Sequence, residues 1–399
     1  MSSTAVEVTL ISPHAHFPSH YWQNTLALMQ ALAGRGLSVQ VIVFTTDTPI
    51  IGLEHRDKVA PVFRQMPVWW HRFVSGNTQH RRFTKILSSF ETVACLLKSF
   101  RLARRQSKPV LHWIGGAQWP LFLAVLCCRR PRFVYSLFGR LTQEQTASAP
   151  TSFGRRIFDR LVLAAVGTGR LDFVCETDLI ADNAARLAGA HVHLIPYAIR
   201  TAKPLPEKSC ARAQLGFEPG ETIFLFFGTH RLEKDYRTAL RGCLMLPNRP
   251  LAVFVGKVIS ANDPHAVVAE CGYPKARIVD EFVSDELAEL YFAAADVVVL
   301  PYEKNFTRGS GVLIESCRYQ RPMLVSAAPY LSGFVSRYRC GETFEPGNAQ
   351  SFAEAAQRLL AEPGAYLPGL AQARHDHSWE VLIERYIAVY SGSASNLTG

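Results

Sequence analysis

The sequence predicts an α/β protein made of two Rossmann-like β/α/β domains that face each other across a cleft. The first observation is a set of continuous apolar runs, Ile223–Phe227, Leu251–Val255 and Val297–Leu300, which are typical of parallel strands buried on both faces. The second is that helical segments separate these runs, an alternation that indicates a parallel sheet. The third is a Pro/Lys-rich segment at residues 200–213, which divides the chain into two halves of similar pattern.

The first half, residues 1–199, is expected to form one domain. Its predicted strands lie at residues 6–11, 37–44, 110–114, 133–137, 171–175 and 192–195. One predicted helix of this half ends near Gly34, and two others cover residues 81–108 and 118–128. Residues 50–80, rich in Pro, Trp and His, are predicted to be irregular, and the small polar residues 144–152 are predicted to form a mobile loop.

The second half, residues 200–375, is expected to form the second domain, with strand and helix alternating over residues 221–360. Residues 200–213 are predicted to be the linker that opens it. A final helix is predicted within residues 376–391, and residues 392–399 are predicted to be a frayed tail.

The loop after Val297–Leu300 has the composition of an anion-binding turn. It delivers Thr307, Gly309, Ser310 and Gly311 to the start of a helix that contains Glu315. In open α/β sheets, ligands bind beyond the carboxyl ends of the strands, where backbone N–H groups at a helix start face an anion. A carboxylate further along the helix can accept hydrogen bonds from a ribose diol. These parts predict a site for a nucleoside diphosphate, and a solvated helix residue is the alternative interpretation of Glu315.

A second segment supplies cations at the end of another predicted strand. Gly228 ends the run Ile223–Phe227, and Arg231-x-x-Lys234 follows in the loop before a helix that begins near Tyr236. The planar fork of Arg and the point charge of Lys can both face one diphosphate. An exposed basic loop is the alternative.

The two segments together resemble the donor-binding half of the GT-B glycosyltransferases, in particular glycosyltransferase family 4. The phrase AADVVVLPY, followed by a Gly/Ser loop and a Glu-bearing helix, carries the resemblance. Glu315 matches the second Glu of the family's E-x7-E motif, whereas Thr307 stands at the first position. The first Glu of this motif would contact the hydroxyls of the transferred sugar, so the departure at Thr307 affects that contact. The resemblance implies the GT-B fold, with a terminal helix that crosses back to the first domain.

The resemblance also implies which residues serve the donor. Arg231 and Lys234 would hold the pyrophosphate and stabilise the leaving nucleoside diphosphate, and Glu315 would anchor the ribose. The remaining donor-side residues are Gly228, Lys257, Phe282, Thr307, Gly309, Ser310, Gly311 and Val312. Lys257 belongs to a strand-end Gly-Lys that recurs in the family, and an ordinary turn residue is the alternative.

Histidines mark the first half. The loop after the first strand holds His14, His16 and His20 where the family commonly has Gly-Gly. His14 and His16 are predicted to line the acceptor pocket, and a metal site formed by the three is the disfavoured alternative. His112 keeps the first position of a family H-x-H motif whose second position is Ile114. We predict a catalytic role for His112, with a buried core histidine as the alternative.

Composition bounds the class of protein. The chain has 399 residues, of which 48% are hydrophobic, as is normal for globular proteins. Its nine cysteines are an odd number, scattered and without C-x-x-C, which favours reduced thiols, a cytoplasmic location and no zinc site. The first residues have no basic n-region, and no apolar run reaches 18 residues, so neither a signal peptide nor a spanning helix is predicted.

The net charge of +10 is concentrated in the first half. Residues 1–200 hold 23 Lys and Arg against 11 Asp and Glu, and residues 51–150 alone hold 16 against 4. Such asymmetry predicts an anionic partner, and the chain has no signature of a nucleic-acid-binding motif. Residues 81–108 form a predicted helix with basic clusters at both ends and apolar residues at helical spacing. An anionic membrane surface is the predicted partner, and an ordinary core-facing helix is the alternative.

The sequence thus predicts a glycosyltransferase that needs neither metal nor cofactor and acts in glycan or glycolipid assembly. The resemblance to family 4 implies that the transfer retains the configuration at the anomeric carbon. The enzyme would take a nucleotide-sugar donor and a glycan or lipid-linked acceptor. A dehydrogenase is disfavoured because no strand is followed by G-x-G-x-x-G, and Walker A and D-x-D motifs are missing from the sequence as well. A nucleotide-sugar 2-epimerase of the same fold and a non-catalytic sugar-nucleotide-binding protein are the alternatives.

Overall fold

The computed structural model describes residues 7–13, 20–45, 58–64, 81–139, 141, 153–200 and 205–393. The chain divides into two compact units. Unit 1 comprises Met1–Pro196 and Trp379–Gly399, and unit 2 comprises Tyr197–Ser378. All nine cysteines are free thiols, as the sequence predicts.

Unit 1 contains a seven-stranded parallel sheet in the order β3-β2-β1-β4-β5-β6-β7. Its strands are β1 Glu7–Ile11, β2 Ser38–Thr45, β3 Val59–Phe63, β4 Pro109–Ile114, β5 Arg132–Leu137, β6 Leu171–Cys175 and β7 Val192–Leu194. The helices between them are α1 His20–Gly34, α2 Arg81–Ala103, α3 Gln118–Cys127, α4 Phe153–Val166 and α5 Asp178–Ala188, followed by the 3-10 turn Gly189–His191.

Unit 2 contains a six-stranded parallel sheet in the order β10-β9-β8-β11-β12-β13. Its strands are β8 Ile223–Phe227, β9 Leu251–Val255, β10 Ala276–Val279, β11 Val297–Leu300, β12 Met323–Ser326 and β13 Gly341–Phe344. Its helices are α6 Lys208–Leu215, α7 Tyr236–Leu244, α8 Pro264–Cys271, α9 Asp285–Ala294, α10 Gly311–Arg318, α11 Pro329–Tyr338, α12 Ala349–Ala361 and α13 Leu367–Asp376, with the 3-10 turn Pro363–Tyr366 before α13. The terminal helix α14, Trp379–Ser391, packs on α1 in unit 1.

The strand predictions hold closely where apolar runs are continuous, because such runs can bury both faces. On β8, Leu225 joins the core on one face of the sheet, whereas Phe224 and Phe226 join the core on the other. Each of these side chains is fully buried. This two-sided burial is what the periodicity of the sequence predicts.

Three sequence expectations are wrong in detail. Residues 50–80 are not wholly irregular, because β3 pairs in parallel with β2 and tolerates Pro61 as an edge strand. Helix α2 ends at Ala103 and not at residue 108, because Pro109 opens β4 and restricts the residue before it. The predicted linker at residues 200–213 includes most of α6, which ends at Leu215 and is followed by Gly216 in the left-handed conformation (φ 67°).

The sheet of unit 2 reverses its strand order between β8 and β11. From β8 the chain proceeds outward through β9 and β10, and from β11 it proceeds outward on the other side through β12 and β13. The ends of β8 and β11 are therefore the topological switch point of the sheet, the position where open α/β sheets bind ligands. At the same edge, Gly256 after β9 has a φ of 146°, and a Cβ there would lie 2.3 Å from the carbonyl oxygen of Gly228. Only glycine allows this close approach.

Asp296, one residue before β11, connects several groups at the amino ends of the strands, opposite the switch point. Its carboxylate accepts hydrogen bonds from Arg212 Nη2 at 2.8 Å and from the backbone N–H of Ile223 at 2.7 Å, and it also pairs with Lys208. Arg212 is buried and donates further to the carbonyl oxygens of Ala294 and Pro219. This cluster fastens α6 to the start of β8 and β11.

We expect Asp296→Asn to destabilise unit 2 by about 3 kcal/mol, because it leaves the buried Arg212 guanidinium without its carboxylate. Urea unfolding followed by circular dichroism measures the change. Glu270→Gln is the matched control, since it breaks the ion pair between Glu270 and Arg237, in which both side chains are solvent exposed. Equal unfolding free energies for the two variants would show that the Asp296 cluster does not stabilise the unit.

Candidate functional site

Lys234 lies at the switch point of unit 2 as a buried cation. The residue is 6% exposed, and its Nζ donates a 2.8 Å hydrogen bond to the carbonyl oxygen of Phe227 at the end of β8. Among the described residues, no carboxylate forms an ion pair with this ammonium. Burial, and to a lesser extent the nearby charge of Arg231, lowers the pKa of Lys234 to about 7. A buried ammonium without a counter-ion is costly, so the position favours binding of an anion.

The loop that carries Lys234 is held in place by its neighbours. The buried Asn262 side-chain amide donates to the carbonyl oxygens of Arg231 at 2.8 Å and Lys234 at 2.6 Å. Lys234 also pairs with Tyr302 in an isolated antiparallel bridge, so the loops after β8 and β11 are joined by backbone hydrogen bonding. Arg308 adds an ion pair to Glu233 across the same gap. These contacts fix the ammonium relative to both strand ends.

Arg231 lies in the same loop and is exposed. Its Nε donates to Thr229 Oγ1 at 3.0 Å, and within the described part of the chain its two terminal amino groups have no acceptor. The neighbouring His230 is fully buried, and burial together with Lys234 lowers its pKa to about 4, so it is neutral at pH 7. The positive charge of this loop therefore comes from Arg231 and Lys234.

The start of α10 lies beside the ammonium. Ser310 is the N-cap residue, but its hydroxyl lies 3.2 Å from the Tyr302 hydroxyl and does not cap the helix. The N-caps of α7 and α9, Asp235 and Ser284, do accept from first-turn N–H groups. The first turn of α10 thus has no side-chain cap for its N–H groups, which is the arrangement that binds anions at helix starts.

Gly228 connects these two features. It has a φ of 84°, and a Cβ built on it would lie 3.2 Å from Val312 Cγ2 and 3.8 Å from Lys234 Nζ. The end of β8, the first turn of α10 and the Lys234 ammonium therefore meet at this glycine. Gly309 and Gly311 flank Ser310 and are half-buried. The structure brings these predicted residues together.

Glu315 is located in α10 but is already engaged by two arginines. Its Oε1 accepts from Arg200 Nη2 at 3.3 Å and its Oε2 from Arg318 Nη1 at 3.1 Å. Arg200 also forms a 2.9 Å ion pair with Asp285 at the start of α9. Burial opposes the charge of Arg200, yet Glu315 and Asp285 together raise its pKa above the usual value. Glu315 is thus a fixed carboxylate with spare acceptor capacity, since an ionised carboxylate has about four acceptor positions.

Three other predicted donor residues lie at the same edge of the sheet. Lys257 Nζ is 3.3 Å from Asp280, the residue after β10, so its charge is paired on the side away from the switch point. Phe282 follows in the β10–α9 loop and is 59% exposed. Thr307 is half-buried in the β11–α10 loop, next to the stacked rings of Tyr302 and Phe306, whose centroids are 3.9 Å apart.

His112 lies in the core of unit 1. It is central in β4 and fully buried, with Nδ1 2.7 Å from the Tyr390 hydroxyl and Nε2 2.8 Å from Ser136 Oγ. Burial lowers the pKa of His112 to about 3, so the ring is neutral at pH 7. With both ring nitrogens engaged, the geometry favours the core-histidine alternative over the predicted catalytic role.

The predicted acceptor-side residues His14 and His16 lie outside the described residues. The backbone of His20 begins α1. Across the parts of the chain that the structure describes, no group of three or more potential metal-ligating side chains occurs.

Sequence reasoning missed Arg200 and Asn262. Arg200 stands in the predicted linker, and only the fold places it beside Glu315 and Asp285. Asn262 precedes α8, some 30 residues beyond the loop that it holds, and a single asparagine gives no sequence signal for such a contact.

A known protein family and a curated relative match parts of this chain in sequence. The model of the family glycosyl transferases group 1 matches residues 207–374. D-inositol 3-phosphate glycosyltransferase from Rhodococcus jostii (strain RHA1) is 27% identical over 265 residues, which is 62% of this chain and 57% of that protein. The match thus spans little more than half the length of this curated relative.

Solved structures share the architecture over nearly the whole chain. Sucrose-phosphate synthase from Thermosynechococcus elongatus has a TM-score of 0.69 at 18% identity, covering 97% of this chain and 98% of that chain. A glycosyltransferase from Rickettsia africae ESF-5 has a TM-score of 0.70 at 12% identity, covering 98% and 99%. Anabaena HepE in complex with UDP has a TM-score of 0.69 at 14% identity, covering 97% and 100%. At these identities the likeness establishes the fold alone.

The predicted fold class and the resemblance are confirmed by these comparisons together with the two parallel sheets. The chain thus has the GT-B fold, and residues 207–374 of its second unit match the model of the family glycosyl transferases group 1.

Proposed function

We propose that this protein is a retaining glycosyltransferase that moves a sugar from a nucleoside-diphosphate sugar to an acceptor hydroxyl. The observation that carries the proposal is the buried Lys234 ammonium, which has no carboxylate partner among the described residues and lies at the switch point of unit 2. A diphosphate supplies the negative charge that this position favours. The relatives named above, which include glycosyltransferases and a protein solved with UDP, support the same class of ligand.

The charges of the site suit the departure of a diphosphate. Lys234 and Arg231 contribute two cations, and the uncapped first turn of α10 contributes backbone N–H groups. As the bond between the anomeric carbon and the phosphate oxygen breaks, negative charge grows on the phosphate, and these fixed groups stabilise it. The acceptor oxygen forms the new bond to the anomeric carbon, and its proton passes to the leaving phosphate. Arg231 and Lys234 supply the positive charge in this mechanism, so we propose that no metal ion takes part.

Glu315 is proposed to bind the ribose of the nucleotide. Arg200 and Arg318 each occupy one acceptor position of its carboxylate. The acceptor positions that remain suit the two hydroxyl groups of a ribose diol. The arginines also hold the carboxylate in one orientation, which reduces the entropy lost when the nucleotide binds.

Measurement of turnover tests the proposed roles of Arg231 and Lys234. UDP-glucose is the first donor to examine, because Anabaena HepE was also solved with it, and a thermal-shift panel of UDP-, GDP-, ADP- and dTDP-sugars decides the base. We expect Arg231→Ala and Lys234→Ala each to lower acceptor-dependent release of nucleoside diphosphate by about 10²–10³-fold, as for a lost oxyanion donor. Lys275→Ala, before β10 at the amino edge of the same sheet, should leave turnover unchanged.

The same assay separates the proposed function from its alternatives. A transferase releases nucleoside diphosphate only when acceptor is present and forms a glycosylated product. Conversion of the donor sugar without an acceptor would indicate an epimerase, and donor binding without any reaction would indicate a non-catalytic protein. Wild-type turnover in both the Arg231 and Lys234 variants would remove these residues from the site.

Calorimetry with nucleotide analogues tests the role of Glu315. We expect Glu315→Gln to weaken UDP binding by about 1.5–3 kcal/mol, because it removes a charged acceptor of the ribose hydroxyls. The same substitution should change the affinity for 2′,3′-dideoxy-UDP little, because that nucleotide lacks the ribose hydroxyls. Glu289→Gln is the control, since Glu289 also pairs with Arg318, at 3.8 Å. An equal loss for both nucleotides would mean that Glu315 supports the fold of α10 and does not bind ribose.

A further inference from the structure

The outer surface of three neighbouring helices in unit 1 has an unusual distribution of polarity. Helix α3 packs between α2 and α4, and the sheet lies behind them. The buried sides of these helices form the core with β4, β5 and β6. Their opposite sides face solvent, where a soluble protein normally presents polar residues.

Helix α2 reverses this rule. Over residues 86–103, the part of α2 whose side chains the structure describes, the exposed residues recur at helical spacing, and those before the last turn are apolar: Ile86, Phe90, Val93 and Leu97. Ile86 is 70% exposed and Leu97 is 57% exposed, so these side chains are mostly outside the core. The buried side of the same helix contains the polar residues Glu91, Thr92 and Ser99. The apolar residues of α2 follow one helical spacing in the sequence, but in the structure they form a buried set and an exposed set.

Helices α3 and α4 extend the exposed apolar surface. Trp119, Leu123 and Leu126 lie on the solvent side of α3 at spacings of four and three residues. The Trp119 ring is fixed against α2 by a 3.0 Å hydrogen bond from Nε1 to Ser89 Oγ. Ile157 and Leu163 on α4 are also exposed. The apolar ridge is therefore defined as the exposed apolar residues of α2, α3 and α4. Because these helices pack side by side, their exposed apolar residues point to an interaction surface.

A cluster of cations lies at one end of the apolar ridge. Its members are exposed and stand at or just beyond the C-terminal ends of α2 and α3: Arg101, Arg104, Arg105, Lys108, Arg129 and Arg130. Arg130 joins the two helix ends, because it donates to the carbonyl oxygens of Arg104 and Gln106. Over residues 86–139 the sequence contains one acidic residue, the buried Glu91. The surface therefore has a strong positive charge that no neighbouring carboxylate in this segment offsets.

We propose that the apolar ridge and its basic cluster dock unit 1 on an anionic lipid bilayer. Such a bilayer offers acyl chains to apolar side chains and negative headgroups to the arginines, and so matches both features at once. A second copy of the chain is disfavoured as the occupant, because the same face of another copy would offer the basic cluster no exposed carboxylate from residues 86–139. None of the described helices combines the length and the apolar character that a bilayer-spanning segment needs. The proposal is independent of the nucleotide site in unit 2.

Vesicle co-sedimentation of the full chain at low salt tests the proposal. The probes are vesicles of phosphatidylcholine alone and vesicles with about 30% phosphatidylglycerol, whose surface attracts each Lys or Arg by roughly 1 kcal/mol, or about fivefold in binding. We expect binding to the anionic vesicles only, weakened by high salt. Arg101→Gln combined with Arg104→Gln and Arg105→Gln should lower binding by about a hundredfold, as three such factors multiply. Ile86→Ser with Leu97→Ser and Leu123→Ser should also reduce binding strongly, by removing apolar contact.

The control variant makes the same charge change elsewhere. Arg241→Gln, Arg249→Gln and Lys275→Gln, all exposed in unit 2, should leave vesicle binding at the wild-type level. Thermal melting checks that each variant is folded, and the arginine variant decides the outcome if the serine variant is not. Equal binding to neutral and anionic vesicles, or wild-type binding by the arginine variant, would overturn the proposal. Concentration-dependent dimers that the serine variant abolishes, with no vesicle binding, would identify a second copy as the partner instead.

Discussion

The candidate site of unit 2 depends on the buried ammonium of Lys234. Lys234 Nζ donates a hydrogen bond to the carbonyl oxygen of Phe227, and the backbone of Lys234 forms a bridge with that of Tyr302. These contacts place a cation between the ends of β8 and β11. Burial of a charge is unfavourable unless an anion pairs with it, and among the described residues no carboxylate forms an ion pair with Lys234. Asn262 holds the loop so that the ammonium stays in place. The sheet thus maintains a position that is stabilised when a diphosphate binds.

The start of α10, Glu315 and Arg200 belong to the same candidate site as the Lys234 ammonium. The first turn of α10 adjoins the ammonium through Gly228, and one turn later the same helix carries Glu315. A phosphate at the start of α10 and a ribose near Glu315 would therefore lie along one helix. Arg200 adds a link that reaches beyond the helix, because it joins Glu315 to Asp285 at the start of α9. A ligand on Glu315 would act on both helices through this arginine.

The sequence allowed the fold to be predicted because its strands are continuous apolar runs, as at Ile223–Phe227. It also located the cations and the helix start, since both follow directly from strand ends. It could not distinguish the two roles of His112, because only the fold brings Tyr390 and Ser136 to its ring. Arg200 escaped notice for the same reason, as its partners lie 85 and 115 residues away. The apolar residues of α2 showed helical spacing, but which of them face solvent depends on the sheet behind them.

The most direct test of the central claim is the pKa of Lys234 measured by NMR. Lysine labelled with ¹³C at Cε, assigned by comparison with Lys234→Arg, reports the titration of this amine without and with UDP. In the free protein we expect a pKa of about 7, depressed mainly by burial. Bound diphosphate should raise it by at least about one unit, since a shift of one unit corresponds to 1.36 kcal/mol of preference for the ammonium. An unchanged pKa on saturation with every nucleoside diphosphate in the panel would contradict the account.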